Sequence, residues 1–90
     1  MEIKFSGRFR KQHDKANEKI RKAFHKRLSL FRQNPLDPQL RNHPLKGSYK
    51  GHRSINITGD WRAIYCKSKI EDGEIIIFEL LGTHSELYRN

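Results

Sequence analysis

The residues best suited to chemistry are histidines, of which the 90-residue chain has five. His52, Ser54 and Asn56 alternate along a strand-like segment, so their side chains should share one face of a sheet. His84 and Tyr88 stand four residues apart near the C-terminus, on one side of a helical turn. Since imidazole titrates near neutral pH and can give or take a proton, a patch that joins these groups could perform general acid/base catalysis.

Two further polar residues should reach the same patch. His43 lies in a rigid loop rich in proline, and Asp60 closes the hairpin that begins with the His52 strand. We expect these groups to converge if the strands are compactly arranged. A rim of four cations should surround them: Lys46, Lys50, Arg53 and Arg62.

Structural roles compete with these functional ones. His43 could merely brace its loop, Asp60 could merely form the turn, and Tyr88 could merely fill the core. Arg53 could form an ion pair with an acidic side chain such as Glu79 instead of contacting a ligand. The sequence leaves both interpretations open for each residue.

The spacing of possible ligands does not indicate a metal site. No histidine stands four residues from another ligand, and the single cysteine, Cys66, has no cysteine partner, so zinc-binding spacing is absent. His13 and His25 fall on helical faces without polar partners in view, and we interpret them as structural or solvent-exposed. No serine stands in a nucleophile elbow. The sequence therefore predicts neither a metal nor a cofactor.

Cleavage of RNA is the chemistry that fits what remains. RNA carries its own nucleophile, so a ribonuclease without metal needs a base for the 2′-hydroxyl, cations for the phosphate and an acid for the leaving 5′-oxygen. Residues 1–53 hold 15 basic and 4 acidic side chains, against 4 basic and 6 acidic in residues 54–90. A field of one sign attracts polyanions. A solvated basic helix face is the alternative explanation of this charge.

Length and composition limit the class of protein. Ninety residues predict one domain, 1–90, with one small core. No segment approaches the roughly 18 apolar residues of a membrane span, and no signal segment is evident at the N-terminus. Cys66 within a strand pattern indicates a reduced, buried thiol. We therefore expect a cytoplasmic protein that does not enter the membrane.

The elements that must position these residues form an α+β pattern. Strands are predicted at 2–6, 51–57, 61–67 and 75–81, and helices at about 8–16 and 18–33. Ser6 and Asn17 are suited to cap the two helices, and the segment with three prolines after them is an ordered loop. We expect the N-terminal strand and helical hairpin to pack on one face of an antiparallel three-stranded sheet, with the other face partly open.

The C-terminal segment "THSELY" should form a short helical turn docked at the end of the last strand. Thr83 and Glu86 have the spacing of a capping box, in which each side chain bonds the backbone of the other. The capping box explains Thr83 and Glu86 structurally, whereas His84 and Tyr88 are left for another purpose.

Two segments, "HPLKGSYKGHRSINITGDWRAIY" and "LLGTHSELY", resemble the RelE superfamily of bacterial type II toxins, most closely its YafQ-like branch. The resemblance implies a RelE/ParE-like, microbial-ribonuclease-like fold. It also implies a cytosolic endoribonuclease, an mRNA interferase that depends on the ribosome and cuts translated mRNA in the A site. Its implied partner is a cognate acidic antitoxin, with which it could form a heterotetramer.

The resemblance also implies roles for single residues. His43 matches the loop histidine implicated in catalysis, and His84 matches the C-terminal histidine assigned an acid or base role. Asp60 matches the aspartate before the tryptophan, and Tyr88 stands where RelE has a functional tyrosine. Two cations stand where related toxins contact phosphate: Lys46 and Arg62.

Three positions depart from the YafQ-like pattern. Ser54 and Asn56 stand where that branch has an acidic residue and a histidine, and neither exchanges a proton near pH 7. His52 stands where tyrosine is usual, so it could supply the missing imidazole, although it lies roughly 13 Å from Asn56 along the strand.

Two other functions therefore stay open. One is a non-enzymatic ParE-like toxin that inhibits DNA gyrase, a branch that generally lacks the histidines. The other is a catalytically impaired homologue, given Asn56.

Overall fold

The computed structural model describes residues 1–88. It contains five strands, three helices and two 3-10 turns, the latter at Pro38–Leu40 and Gly47–Tyr49. The bounds are Glu2–Phe5 (β1), Gly7–Lys15 (α1), Glu18–Gln33 (α2), His43–Pro44 (β2), His52–Asn56 (β3), Trp61–Ile70 (β4), Gly73–Thr83 (β5) and His84–Leu87 (α3). All the predicted helices and strands are present, so the predicted α+β class is confirmed. None of the described helices is long and apolar enough to cross a membrane.

The strands form one sheet in the order β1-β5-β4-β3-β2. β3, β4 and β5 are the expected antiparallel strands, each paired with the next along the chain. β1 lies parallel to β5, with Glu2 opposite Ile75 and Phe5 opposite Phe78. β5 therefore has a hydrogen-bonded neighbour on each side and is a central strand of the sheet.

The structure corrects the predicted sheet in three places. β1, expected to pack on the sheet together with the helical hairpin, is itself an edge strand of the sheet, parallel to β5. His43–Pro44, expected in a loop, pairs with β3 as an edge strand, where proline is tolerated because an edge strand has donors that need no partner. Segment 68–74 was expected to form a turn, but β4 continues to Ile70 and β5 begins at Gly73. Exposed polar side chains dominate this hairpin, so no apolar alternation in the sequence marks it as strand.

Both long helices are capped as predicted. The Ser6 Oγ accepts a hydrogen bond from the Phe9 amide at 3.0 Å, and the Asn17 Oδ1 accepts one from the Ile20 amide at 3.0 Å. These bonds satisfy amides that have no partner within the helix. The two caps separate α1 from α2 and thereby set the turn of the helical hairpin.

An aromatic core lies between the helices and one face of the sheet. Phe9, Phe24, Phe31, Tyr65 and Phe78 are all buried there. The rings of Phe31 and Tyr65 lie 5.1 Å apart in an edge-to-face contact, and Phe78 contacts three other phenylalanines of the cluster. Ile55 of β3 is fully buried on this side, so the predicted orientation of β3 is confirmed. The opposite face of the sheet is left for the polar residues.

The C-terminal helix α3 is fastened to the end of β5 at several points. The predicted capping box is present: the Thr83 Oγ1 accepts from the Glu86 amide at 3.2 Å, and the Glu86 Oε1 accepts from the Thr83 amide at 2.9 Å. The Tyr49 hydroxyl donates to the Leu87 carbonyl at 2.8 Å. A Cβ added to Gly82 would meet the Leu87 side chain at 3.3 Å, so glycine lets Leu87 pack tightly over the strand end.

Candidate active site

A cleft of about 510 Å³ opens on the face of the sheet away from the long helices. It unites residues from four parts of the chain: β2 with its flanking residues, strand β3, strand β4 and the C-terminal turn. Its lining residues are Arg41, His43, Leu45, Asn56, Arg62, His84 and Tyr88. Five of the ten site residues predicted from the sequence therefore line this one cleft.

The ring of His43 is oriented by the backbone beside it. Its Nδ1 lies 2.7 Å from the Arg41 carbonyl oxygen. A carbonyl can only accept, so Nδ1 carries the hydrogen and Nε2 of the neutral ring is left with a free lone pair. Arg41 has a left-handed backbone conformation, with φ at 47°. The arrangement leaves Nε2 of His43 able to take a proton.

His84 is held by its backbone rather than by its ring. Its amide donates to the Asp60 carbonyl at 2.9 Å, which ties the first residue of α3 to the turn between β3 and β4. The exposed imidazole lies against the ring of Tyr88, with centroids 4.6 Å apart. The ring of Tyr49 in turn contacts Tyr88 edge-to-face, with centroids 6.0 Å apart. His84 is thus an exposed imidazole on a firmly anchored backbone.

Asn56 and Arg62 form the floor of the cleft, directly opposite each other in the β3–β4 register. The Nη1 of Arg62 donates to the carbonyls of Thr58, Gly59 and Trp61, at 3.0, 3.2 and 3.0 Å. These bonds hold the guanidinium over the turn. The donors on its other nitrogens are suited to a phosphate, which guanidinium binds in a forked geometry.

Asp60 contributes through its backbone. Its carbonyl accepts the bond from His84, while its exposed side chain is outside the cleft lining. The predicted proximity of Asp60 to the site is therefore found, but its carboxylate is not among the groups that line the cleft.

Lys46 and Lys50, predicted in the cationic rim, flank the 3-10 turn after β2. Both are exposed, and neither lines the cleft.

Arg53 lies on the wrong face for the predicted rim. It stands opposite Tyr65 in the register, and its Nε donates to the Asn42 Oδ1 at 2.8 Å. Asn42 in turn donates to the Tyr65 hydroxyl at 2.8 Å. The strand alternation that directs His52 to the open face necessarily directs Arg53 to the helix side. The alternative ion pair with Glu79 is also absent among the described residues.

His52 lies outside the cleft, in a neighbouring groove of about 360 Å³. Its Nε2 lies 2.7 Å from the Glu79 Oε2. The proposal that His52 replaces the imidazole missing at Asn56 is therefore not supported, because the two side chains line different spaces. Ser54, between them, is fully buried, and its Oγ has no partner among the described residues.

Sequence reasoning missed Arg41 and Leu45. Both lie beside His43 in the proline-rich segment, where no periodic pattern assigns side chains to a face. Only the pairing of β2 with β3 brings this segment over the open face. The cleft consequently has a second arginine in addition to Arg62.

The cleft combines the parts of an acid/base catalyst for a phosphodiester. It has one imidazole with a free nitrogen, a second imidazole on a separate element, and two guanidinium groups. A helical hairpin on one face of the sheet and such a cleft on the other are the arrangement that the resemblance to RelE-like toxins implies.

Comparison with known proteins identifies the family to which the chain belongs. The chain belongs to the YafQ family of bacterial toxins of type II toxin–antitoxin systems, whose family model matches residues 1–89. The mRNA interferase toxin YafQ of Escherichia coli strain K12 is 35% identical, over 97% of this chain and 95% of its own length. The predicted family is therefore confirmed, and endoribonuclease, the predicted enzyme class, is the class of these relatives.

Solved structures agree with the fold. The crystal structure of YafQ from E. coli strain BL21(DE3) aligns with a TM-score of 0.77 at 30% identity, covering 97% of each chain. In the E. coli DinJ–YafQ complex, the matching chain aligns with a TM-score of 0.63 at 32% identity, again over 97% of each chain. The predicted RelE-like fold is thus confirmed.

Proposed function

We propose that this protein is a toxin that cuts translated mRNA on the ribosome by acid/base catalysis without a metal ion. The observation that carries the proposal is the convergence of His43, Arg62 and His84 on one open cleft. Its YafQ relatives are named mRNA interferases, which supports RNA as the substrate.

The geometry supports a division of labour between the histidines. His43, whose Nδ1–H is engaged by a carbonyl, takes the proton of the 2′-hydroxyl at Nε2. The 2′-oxygen attacks the adjacent phosphorus while Arg62 and Arg41 stabilise the developing negative charge. Protonated His84 gives its proton to the leaving 5′-oxygen. The products are a 2′,3′-cyclic phosphate and a free 5′-hydroxyl.

The exposure of the cleft supports dependence on the ribosome. His43 and His84 are both exposed, and the cleft has no deep pocket for a base. Such a surface does not by itself hold a nucleotide with the 2′-oxygen in line with the leaving group, a geometry that contributes greatly to rate. The ribosomal A site would supply this orientation, and the net charge of +9 favours docking on ribosomal RNA.

The resting partner we propose is a small acidic antitoxin in the cytoplasm. YafQ of E. coli is found in complex with DinJ, which supports an equivalent partner here. The helices α1 and α2 have eight exposed cations: Arg8, Arg10, Lys11, Lys15, Lys19, Lys22, Lys26 and Arg32. An acidic segment would neutralise them, and two such pairs could join into a heterotetramer.

Induction without the antitoxin tests the proposal. We expect growth arrest with new 5′ ends inside coding regions by primer extension, and purified toxin should cut mRNA on programmed ribosomes but not the same RNA alone. Intact mRNA with altered DNA supercoiling would favour gyrase inhibition instead. Intact mRNA and unaffected growth would indicate the impaired homologue.

A further inference from the structure

Three side chains outside the cleft form a cluster across the sheet. His52 of β3, Cys66 of β4 and Glu79 of β5 each offer a ligand atom, and these atoms all lie within 4.8 Å of one another. His52 and Cys66 are direct partners in the β3–β4 register. All three are partly buried. His52 and Glu79 line the groove of about 360 Å³, and Cys66 lies beside Glu79.

An irregularity in the sheet brings Glu79 to this position. The register between β4 and β5 shifts at Ile64/Tyr65, so Tyr65 pairs with Phe78 and Ile64 with Leu80. Glu79 is the extra residue of this β-bulge, free of a direct partner in β4. Bulges commonly re-aim a side chain, and here a carboxylate crosses β4 to reach His52 at 2.7 Å.

Hydrogen bonding within the cluster leaves one polar atom unmatched. His52 Nε2 is bonded to Glu79 Oε2, and the Cys66 Sγ lies 3.8 Å from Glu79 Oε1. His52 Nδ1, in contrast, is buried without a partner among the described residues. Since buried polar atoms are generally paired, the hydrogen bonds among these three side chains satisfy the imidazole of His52 only in part.

We propose that His52, Cys66 and Glu79 form a binding site for a zinc-like divalent metal ion, separate from the catalytic cleft. Thiolate, imidazole and carboxylate are the three ligand types that zinc binds, and two negative ligands balance its charge. Three protein ligands leave a fourth position, which opens to the groove lined by Ser6, Arg8, Ser48 and Tyr49. The sequence could not reveal the site because its ligands come from three strands.

The distances suit a tetrahedral ion after small movements. Ligands about 2.0–2.3 Å from zinc stand about 3.3–3.8 Å apart. The 3.8 Å separation of the Cys66 Sγ and the Glu79 Oε1 falls in this range, whereas the His52 Nε2 and the Glu79 Oε2, at 2.7 Å, must move apart to admit the ion. Burial and the Glu79 carboxylate raise the pKa of the Cys66 thiol, so the metal displaces a proton when the sulfur binds. A bound ion would cross-link β3, β4 and β5.

Cobalt titration of the reduced, purified chain tests the site. Cys66 is the only cysteine, so a thiolate-to-cobalt charge-transfer band can arise from one residue alone. We expect this band at one cobalt per chain, its loss on adding Zn²⁺, and its absence in Cys66→Ser. Glu79→Gln and His52→Gln should each weaken Co²⁺ binding at least about tenfold, since even outer-shell losses commonly cost about 10–100-fold.

Controls separate this site from other histidines. His13 and His25, whose Nε2 atoms lie 3.1 Å apart, form another possible chelating pair, so His13→Gln should leave the band unchanged. Cys66→Ser should still cut mRNA, because Cys66 lies outside the cleft. Absence of the band in the wild-type chain, a band that survives Glu79→Gln and His52→Gln at full affinity, or one cobalt per two chains would overturn the proposal. If Cys66→Ser fails to fold, the Glu79→Gln titration decides.

Discussion

His43 and His84 reach the cleft by different means, and the difference bears on their roles. The ring of His43 is engaged by a backbone carbonyl at Nδ1, which fixes its tautomer and leaves Nε2 as an acceptor. The ring of His84 is exposed, and only its backbone and its contact with Tyr88 hold it. The fixed acceptor nitrogen of His43 suits the role of general base. The exposed ring of His84, which can exchange protons with solvent, suits the role of general acid.

Replacing His84 with alanine should therefore remove activity without harming the fold. We expect single-turnover cleavage on programmed ribosomes to fall about 10²–10⁴-fold, the usual contribution of a positioned acid or base. The melting temperature should stay close to that of the wild type because the side chain is exposed. His25→Ala, at an exposed histidine of α2 outside the cleft, is the matched control and should cut normally. Near-normal cleavage by His84→Ala would remove this residue from the mechanism.

Arg62 allows a test of phosphate stabilisation. Arg62→Ala should lower the single-turnover rate about 10²-fold, as the loss of one donor to a developing charge typically does. Arg62→Lys keeps the charge but loses both the Nη1 group that bonds three carbonyls and the forked donors suited to a phosphate, so it should restore only part of the rate. Equal rates for Arg62→Ala and the wild type would exclude a role in the reaction. Arg53→Ala, on the helix side, is the control for loss of one positive charge.

At the scale of elements, the site depends on the junction of β5 with α3. Three interactions hold the four residues of α3 in place: the capping box, the hydrogen bond from the Tyr49 hydroxyl, and the packing of Leu87 over Gly82. A helix this short has no stability of its own. The position of His84 is therefore maintained by side chains that do no chemistry.

Thr83→Ala tests this dependence. Loss of the cap should cost about 1 kcal/mol of the free energy of unfolding, which corresponds to a fall of about 4–8 °C in melting temperature for a domain of this size. Cleavage should fall only partly, because the catalytic groups remain and only their positioning loosens. Ser85→Ala, at the adjacent exposed position, should change neither quantity. A Thr83→Ala protein with wild-type stability would show that the cap contributes nothing.

At the scale of the whole molecule, the sheet separates two basic surfaces. Arg41 and Arg62 line the cleft on one face, while the cations of α1 and α2 lie exposed on the helix side. A partner that silences the toxin can bind the helix side, the cleft or both. The protein has a net charge of +9, and its long-range electrostatic field attracts an acidic partner toward either face.

Association with the proposed acidic antitoxin should consequently be fast and sensitive to salt. Electrostatic steering raises association rates at low ionic strength, and screening removes the effect. We expect the association rate constant, measured by stopped flow, to fall by about tenfold or more between low and high salt, with a smaller change in dissociation. An association rate that does not vary with salt would contradict this mechanism.

Local patterns in the sequence were sufficient for most of the fold. Ser6 and Asn17 mark the helix starts, alternation at Ile55 and Ile57 orients β3, and the spacing of Thr83 marks the capping box. Each of these signals lies within a few residues of its effect. The exposed hairpin at 68–74 was missed because its polar residues show no such pattern.

The sequence by itself determined the α+β class, the caps, the open face of β3 and the histidines of the cleft, because these follow from short-range periodicity and from residue types. Only the tertiary structure decided which polar residues meet. The pairing of β2 with β3 places Arg41 in the cleft, and strand alternation places Arg53 on the opposite face of the sheet. The β-bulge at Glu79 brings its carboxylate to His52, which therefore belongs to a different cluster. Pairing between strands and a shift of register are properties of distant segments in contact, and no single segment encodes them.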